Sequence, residues 1–189
     1  MTYIPLKVYH QTISGFIESM EAMRLPKGSK SDSYYLLDKF ILGPKDTILA
    51  GRLIRAGDDH AKALRGIIAY ITLELQVGFM IEFETYRFGV ECLSTSSSMH
   101  NELKTLKGSA LAEQKQADLP NKVYVRKLVM SYQALRRIYY ARRYHRHPDW
   151  QIFCNFIETL PYFTQLILAN KQKEKDQYID DDVPGCHPD

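Results

Sequence analysis

The stretch NKVYVRKLVMSYQALRRIYYARRYH, residues 121–145, is the clearest patterned run in the chain, and its reading sets the architecture around it. Val125, Leu128, Val129, Tyr132, Leu135, Ile138, Tyr139 and Arg142 recur at steps of three and four residues. That spacing puts them on one side of a 3.6-residue helix, so the run predicts a single long amphipathic helix. It ends in Arg142-Arg143-Tyr144-His145-Arg146-His147. Cations there suit the negative end of a helix dipole. The same tract, enlarged by Arg126, Arg136 and Arg137, also has the chemistry to grip a phosphate, because arginine forks bind phosphate bidentately and histidines add donors. A nucleic-acid stripe fits less well. The rest of the chain is balanced in charge, with 25 Lys and Arg against 22 Asp and Glu and a net charge of +3.

Working outward, IIAYITLEL (67–75) is rich in β-branched and apolar residues and predicts a buried strand. Residues 77–86 fit one helical face through Phe79, Met80 and Phe83, without excluding other readings. Pro44 opens a predicted helix with Ile48, Leu49, Leu53 and Ala56 inward and Gly57 at its end, followed by a helical turn through Leu64. YIPLKVY (3–9) predicts an edge strand; Thr12 or Ser14 would cap a helix carrying Ile13, Phe16, Ile17, Met20 and Met23. LPKGSKSDS (25–33) is a loop. On the far side, Pro148 opens a helix with Trp150, Phe153, Cys154, Ile157 and Leu160 on its face, and a last helical segment follows Pro161. Residues 1–170 are expected to form one domain and 171–189 a charged flexible tail.

Function classes narrow from composition. No apolar run reaches the roughly 18 residues that span a bilayer. MTYIPLKVYH lacks the layout of a signal peptide, and the cysteines, Cys92, Cys154 and Cys186, are few and scattered, so a cytoplasmic protein is expected. No glycine-rich phosphate loop is present. Cys154 falls on an apolar helix face and reads as inert packing; nothing in sequence supplies Cys92 with a base. Asp58-Asp59-His60 invites a metal, but no second cluster has ligand spacing, and helix capping with His60 free to touch a ligand fits better. The hydroxyl tract Ser94-Thr95-Ser96-Ser97-Ser98 either binds an anion in a turn or caps, through Ser97 or Ser98, a helix from Met99 to Lys107.

The order of these segments carries a resemblance. LIRAGDDHAKALRGIIAYITLEL, EFETYRFG, STSSSMH, Leu119-Pro120, SYQALRRIYYARR and HPDWQIFCNFIETLPY together resemble phage- and prophage-associated bacterial proteins that are similar to flavin-dependent thymidylate synthases, over roughly residues 45–165. The resemblance implies an α/β (α+β) fold, a central sheet with long C-terminal helices. It implies a homo-oligomer, plausibly a tetramer with sites between subunits, that binds flavin adenine dinucleotide (FAD) and acts on a pyrimidine nucleotide. Gly57 and His60 resemble the family's Gly-x-His element, Leu119-Pro120 its Leu-Pro element, Arg142 its nucleotide-contacting arginine and Ser96 its loop serine. The family's Arg-His-Arg triplet is not retained: Glu84-Thr85-Tyr86 or Thr85-Tyr86-Arg87 stands in its place. The loop also lacks the family's Asn-Glu and Arg-Tyr, and Arg65 replaces an acid. By resemblance, then, His60, Tyr86 and Arg87 would meet a cofactor, and Ser96, Arg142 and His145 a substrate. Residues 83–100 would be a remodelled ligand loop whose hydroxyls line the pocket. The alternatives are a non-catalytic phage-related protein on this fold, holding nucleic acid or a protein partner through the basic 136–147 surface, and an oligomer with no small ligand.

Overall fold

The stretch 121–145 is two elements, not one. In a computed structural model, which describes residues 3–96, 103, 105–118 and 122–169, it runs as strand β6 (Val123–Ser131) and then, without a loop, as helix α5 (Tyr132–Arg142). The strand pairs antiparallel with β4 (Ile68–Gln76) in unbroken register, from Ile68 opposite Ser131 to Gln76 opposite Val123. Those pairs place Leu128 and Met130 beside Ile71 and Ala69, all buried. The opposite face carries Tyr70, Val125 and Val129. Apolar residues on both faces of β6 gave the run its helix-like spacing. The long-helix expectation is therefore corrected: the helical pattern holds only from Tyr132 onward.

Two further strands complete a fully antiparallel sheet of order β1-β4-β6-β5. β1 (Lys7–Ser14) lies four residues later than expected, and Thr12 and Ser14 are part of it rather than helix caps. The turn into α1 (Phe16–Arg24) is made by Gly15 at φ 85°; a Cβ there would sit 2.0 Å from the Gly66 carbonyl oxygen, so only glycine fits. β5 (Val90–Thr95) is a strand where a ligand loop was expected. A small hairpin, β2 (Tyr34–Leu36) with β3 (Lys39–Ile41), was not foreseen.

The helices opened by Pro44 and Pro148 are present as α2 (Pro44–Ala56) and α6 (Pro148–Glu158), and a 3₁₀ turn spans Lys62–Arg65. The run after β4 is helix α3 (Val77–Phe83), and the segment after Pro161 is a π-helical turn, Phe163–Leu168. Of the helix expected over 99–107, the described residues 103 and 105–107 are not helical and the rest lie outside the described residues; a helix α4 spans Gly108–Asp118. Ser97, Ser98, Met99, His100, Leu119-Pro120 and the 171–189 tail lie outside the described residues.

One face of the sheet is buried under helices. Ala69, Ile71, Leu73, Leu75, Leu128 and Met130 meet Met20, Leu49, Ile54, Leu135, Ile138, Trp150, Phe153 and Ile157 in a single core. The other face is open among the described residues, with Tyr70 41% and Val125 39% exposed. Many tyrosines are core-edge anchors: the hydroxyls of Tyr132, Tyr140 and Tyr162 donate to the carbonyls of Pro161, Leu168 and Phe40. The polar 25–33 loop is organised by a buried carboxylate. Asp46 accepts from Arg24 Nε at 2.6 Å and from the Ser31 and Ser33 hydroxyls, while Asp32 caps the first amides of α2. Burial pushes the Asp46 carboxyl up, and the hydrogen bonds from Ser31, Ser33 and Arg24 outweigh it, holding it below the usual carboxylate range.

The two described cysteines differ sharply. Cys154 is buried, and burial, with Glu158 nearby, pushes its thiol up to about 11; Cys92 is exposed on β5. Because the thiolate is the nucleophile and must be accessible, native protein treated with iodoacetamide near neutral pH is expected to be labelled at exposed Cys92 and at Cys154 only on unfolding. Equal labelling rates by peptide mass spectrometry would contradict the packing described.

Candidate functional site

Where β6 becomes α5, the open face of the sheet meets the first turns of the helix and makes a cavity of about 430 Å³. This lies within the range of roughly 300–1,000 Å³ typical of small-molecule sites. Its floor is sheet: Ile68 on β4, Val129 on β6 and Glu91 on β5. One wall is built from the 3₁₀ turn and α5, with Arg65, Gln133, Ala134 and Arg137; Phe88 and Gly89 close the opposite side.

The wall is pinned by its own hydrogen bonds. Ser131 caps α5, its Oγ accepting from the Ala134 amide at 3.2 Å. The Tyr132 amide donates to the Ile67 carbonyl at 2.9 Å, which locks the helix start to the head of β4. Buried Gln133 is held at both ends of its amide: Nε2 donates to the Asp58 carbonyl at 2.9 Å, and Oε1 accepts from Arg65 Nε at 2.6 Å. Arg137 Nε stands 3.5 Å from the Asp58 carboxylate, with both side chains about half exposed. Two guanidinium groups are thus presented on one wall by fixed neighbours, while part of each fork stays available. The Phe88 side is shaped by Gly89, at φ 72°, whose carbonyl accepts from the Ser131 amide at 2.9 Å. A Cβ on Gly89 would fall 2.6 Å from Ser131 Oγ, so the close approach that forms the cavity needs glycine.

The residues singled out from sequence lie elsewhere. Tyr86 and Arg142 do meet: Arg142 Nε donates to the Tyr86 hydroxyl at 2.7 Å, and its guanidinium lies 4.8 Å from the centre of the Trp150 ring. Trp150 in turn donates to Glu82 at 2.9 Å, and His145 meets the Trp150 ring edge-on. Arg142 is therefore held between two aromatic rings beside the core. Arg87 is exposed, with Nε 3.4 Å from the Glu84 carbonyl. His60 is exposed and borders only a crevice of about 10 Å³ between α1 and α2.

The described part of the hydroxyl tract does not line this cavity. Ser94 and Thr95 lie in β5, Thr95 accepting from Arg126, and Ser96 exchanges two hydrogen bonds with the Val125 backbone, at 2.8 and 3.0 Å. These hydroxyls complete the sheet edge and do not reach the cavity. The basic helix end is also largely committed to packing. Arg136 donates to the Ile167 carbonyl and lies over Tyr140, and Arg143 lies over Tyr139. Among the described residues no group of three or more His, Cys, Asp or Glu is placed to hold a metal ion, and no helix is long and apolar enough to cross a membrane.

Sequence reasoning missed Glu91, Gln133 and Phe88 as site residues, and met Arg65 and Arg137 only as charge. Gln133 and Arg137 lie one turn apart on α5, whereas Arg65, Phe88 and Glu91 come from other elements that the tertiary fold brings beside it. The one available signal was Arg65 itself, a cation placed directly ahead of a buried strand.

No protein-family model and no curated protein matches the chain. Solved structures do. The flavin-dependent thymidylate synthase ThyX from Helicobacter pylori, crystallised with FAD and dUMP, aligns at a TM-score of 0.56 and 15% identity, covering 87% of this chain and 98% of that one. A second structure of the Helicobacter pylori enzyme with the same two molecules aligns at a TM-score of 0.56 and 16% identity over 87% and 97% of the two chains. The fold is that of flavin-dependent thymidylate synthases, as the resemblance implied.

Proposed function

We propose that this chain is a divergent flavin-dependent thymidylate synthase-like protein that binds a nucleotide or a flavin in the cavity at the head of α5. The observation that carries the reading is the pairing of Arg65 and Arg137 on one wall of a cavity floored by Ile68, Val129 and Glu91. Arginine forks suit a phosphate group, and the Ile68, Val129, Ala134 and Phe88 surfaces suit an aromatic ring. The neighbouring enzymes of the same fold hold FAD and dUMP, which supports this ligand class.

Size gives a first test of fit. A cavity of about 430 Å³ accommodates a mononucleotide or the flavin-bearing half of FAD, and the remainder of a dinucleotide would extend over the open sheet face. A flavin bound there would supply hydride-transfer chemistry. This chain's residues would bind and orient it: Arg65 and Arg137 at the phosphate, Gln133 holding Arg65 in line, Phe88 against the ring. Arg142, His60, Tyr86, Arg87, Ser96 and His145 are not assigned to this cavity.

The test is a titration of the purified chain with FAD and with dUMP, followed by the flavin visible bands and by calorimetry. Saturable binding of either ligand, with flavin bands that shift when dUMP is added, is the expected result. Absence of binding by both would leave the fold without this function.

A further inference from the structure

The cavity is electrically two-ended. Arg65 and Arg137 belong to one wall, where both are tied to the 58–65 segment and α5: Arg65 through Gln133, Arg137 through Asp58. Glu91 stands across the floor. It pairs in register with Val129, so its side chain leaves the sheet on the same face. β6 separates β4 from β5. At about 4.8 Å per strand, the β4 side and Glu91 are roughly 10 Å apart. Among the described residues no hydrogen bond or ion pair engages the Glu91 carboxylate. An ionised carboxylate accepts and cannot donate. A ligand phosphate held by the arginines would therefore leave the rest of the ligand over a floor that carries an acceptor-only group at Glu91.

We propose that Glu91 reads the heterocycle of the bound nucleotide, favouring rings that present a ring N–H to it, such as uracil, over rings that present a lone pair there, such as cytosine. The inference rests on the cavity being a nucleotide site. Its physical basis is the difference between a ring N–H, which donates to the carboxylate, and a ring lone pair, which is repelled by it. A ring N–H facing Glu91 gains a charge-assisted hydrogen bond, whereas a ring nitrogen lone pair or an N-methyl group leaves the carboxylate unpaired and repelled. Glu91 is thereby a specificity-determining residue, with the arginines supplying affinity that does not depend on the base.

Calorimetry of the full chain with dUMP, dCMP and N3-methyl-dUMP tests it. The wild-type chain is expected to bind dUMP at least about 10-fold more tightly than either of the others. Glu91→Gln, whose amide offers both a donor and an acceptor, should bring dUMP and dCMP to within about 3-fold. Arg65→Ala should weaken all three alike. Glu91 is exposed on an edge strand, so the glutamine variant is expected to keep the wild-type circular dichroism. Equal binding of dUMP and N3-methyl-dUMP by the wild type, or an unchanged preference in Glu91→Gln, overturns the role of Glu91 while the cavity stands as a nucleotide site. If none of the three ligands binds the wild type, the reading of the cavity itself falls, and this inference with it.

Discussion

Trp150→Ala should lower the stability of the chain by about 3–5 kcal/mol, the range for deleting a large buried aromatic. The side chain is fully buried. It stacks on Phe83 at an interplanar angle of 11°, takes Phe79 edge-on at 4.8 Å and donates its indole N–H to Glu82. On its other side it carries the Arg142 guanidinium. Truncation opens a cavity, strips Glu82 of its donor and removes one face of the cation's aromatic enclosure. For a chain of this length the melting temperature should fall by about 10 °C or more. Trp150→Phe keeps most of the volume and should cost markedly less. The residue is the sole tryptophan of the sequence, so its fluorescence reports directly on Arg142. Arg142→Ala should shift the emission without touching ligand binding at the α5 cavity. A melting temperature within 2 °C of wild type for Trp150→Ala would contradict the packing around α6, since an error of that size is about 1 kcal/mol.

Removing both cavity arginines should have the largest effect on binding. A hydrogen bond to a charged group is worth about 1.5–3 kcal/mol when sheltered. Arg65 and Arg137 are both exposed, and both must be discounted for solvent screening. The double variant Arg65→Ala/Arg137→Ala is therefore expected to lose about 2–3 kcal/mol of affinity for dUMP or a flavin phosphate, roughly 30- to 150-fold in Kd. Arg65→Ala should account for most of it, because that guanidinium is held at 2.6 Å by buried Gln133, while Arg137 stands 3.5 Å from an exposed carboxylate. Salt dependence of binding should weaken in the double variant as two cations are lost. Arg146→Ala, on an exposed site outside the cavity, serves as the control for general charge. If the double variant binds as the wild type does and the control does not, the ligand is held at the basic helix end and not in the cavity.

The sequence was legible where one physical cause dominated. The β4 run is mostly apolar and β-branched because its inward residues, Ala69, Ile71, Leu73 and Leu75, are core, and it pairs with a strand on each side. The helices opened by Pro44 and Pro148 were readable because proline fixes their first turn. β6 was misread for a specific reason. An inward strand position is occupied by buried Arg126, held by Glu84 and Thr95, and this breaks the alternation that would have marked a strand. Outward Val125 and Val129 then filled the gaps at helical spacing. The site was less legible still. Only Gln133 and Arg137 are local to one another, on α5; Arg65 and Glu91 are brought beside them by the pairing of β4 with β6 and of β6 with β5. Arg142, by contrast, stood out as a cation in a cationic tract, and the structure gives it a stacking role that no spacing rule distinguishes from phosphate binding.

The direct passage from β6 into α5 bears on how this chain can vary in length. No residue lies between Ser131 and Tyr132 to absorb an insertion. One added residue there would turn the helix by about 100°. Gln133, Ala134 and Arg137 would swing off the wall they form, and Leu135, Ile138 and Tyr139 would swing out of the core together. β4 runs into α3 with the same lack of slack. The β2–β3 hairpin is different: its tip, with Leu37 92% exposed, touches nothing that a longer turn would disturb. Length is rigidly counted at the two strand–helix joints and freely negotiable at the hairpin, so a tag or a split point belongs at residues 37–38.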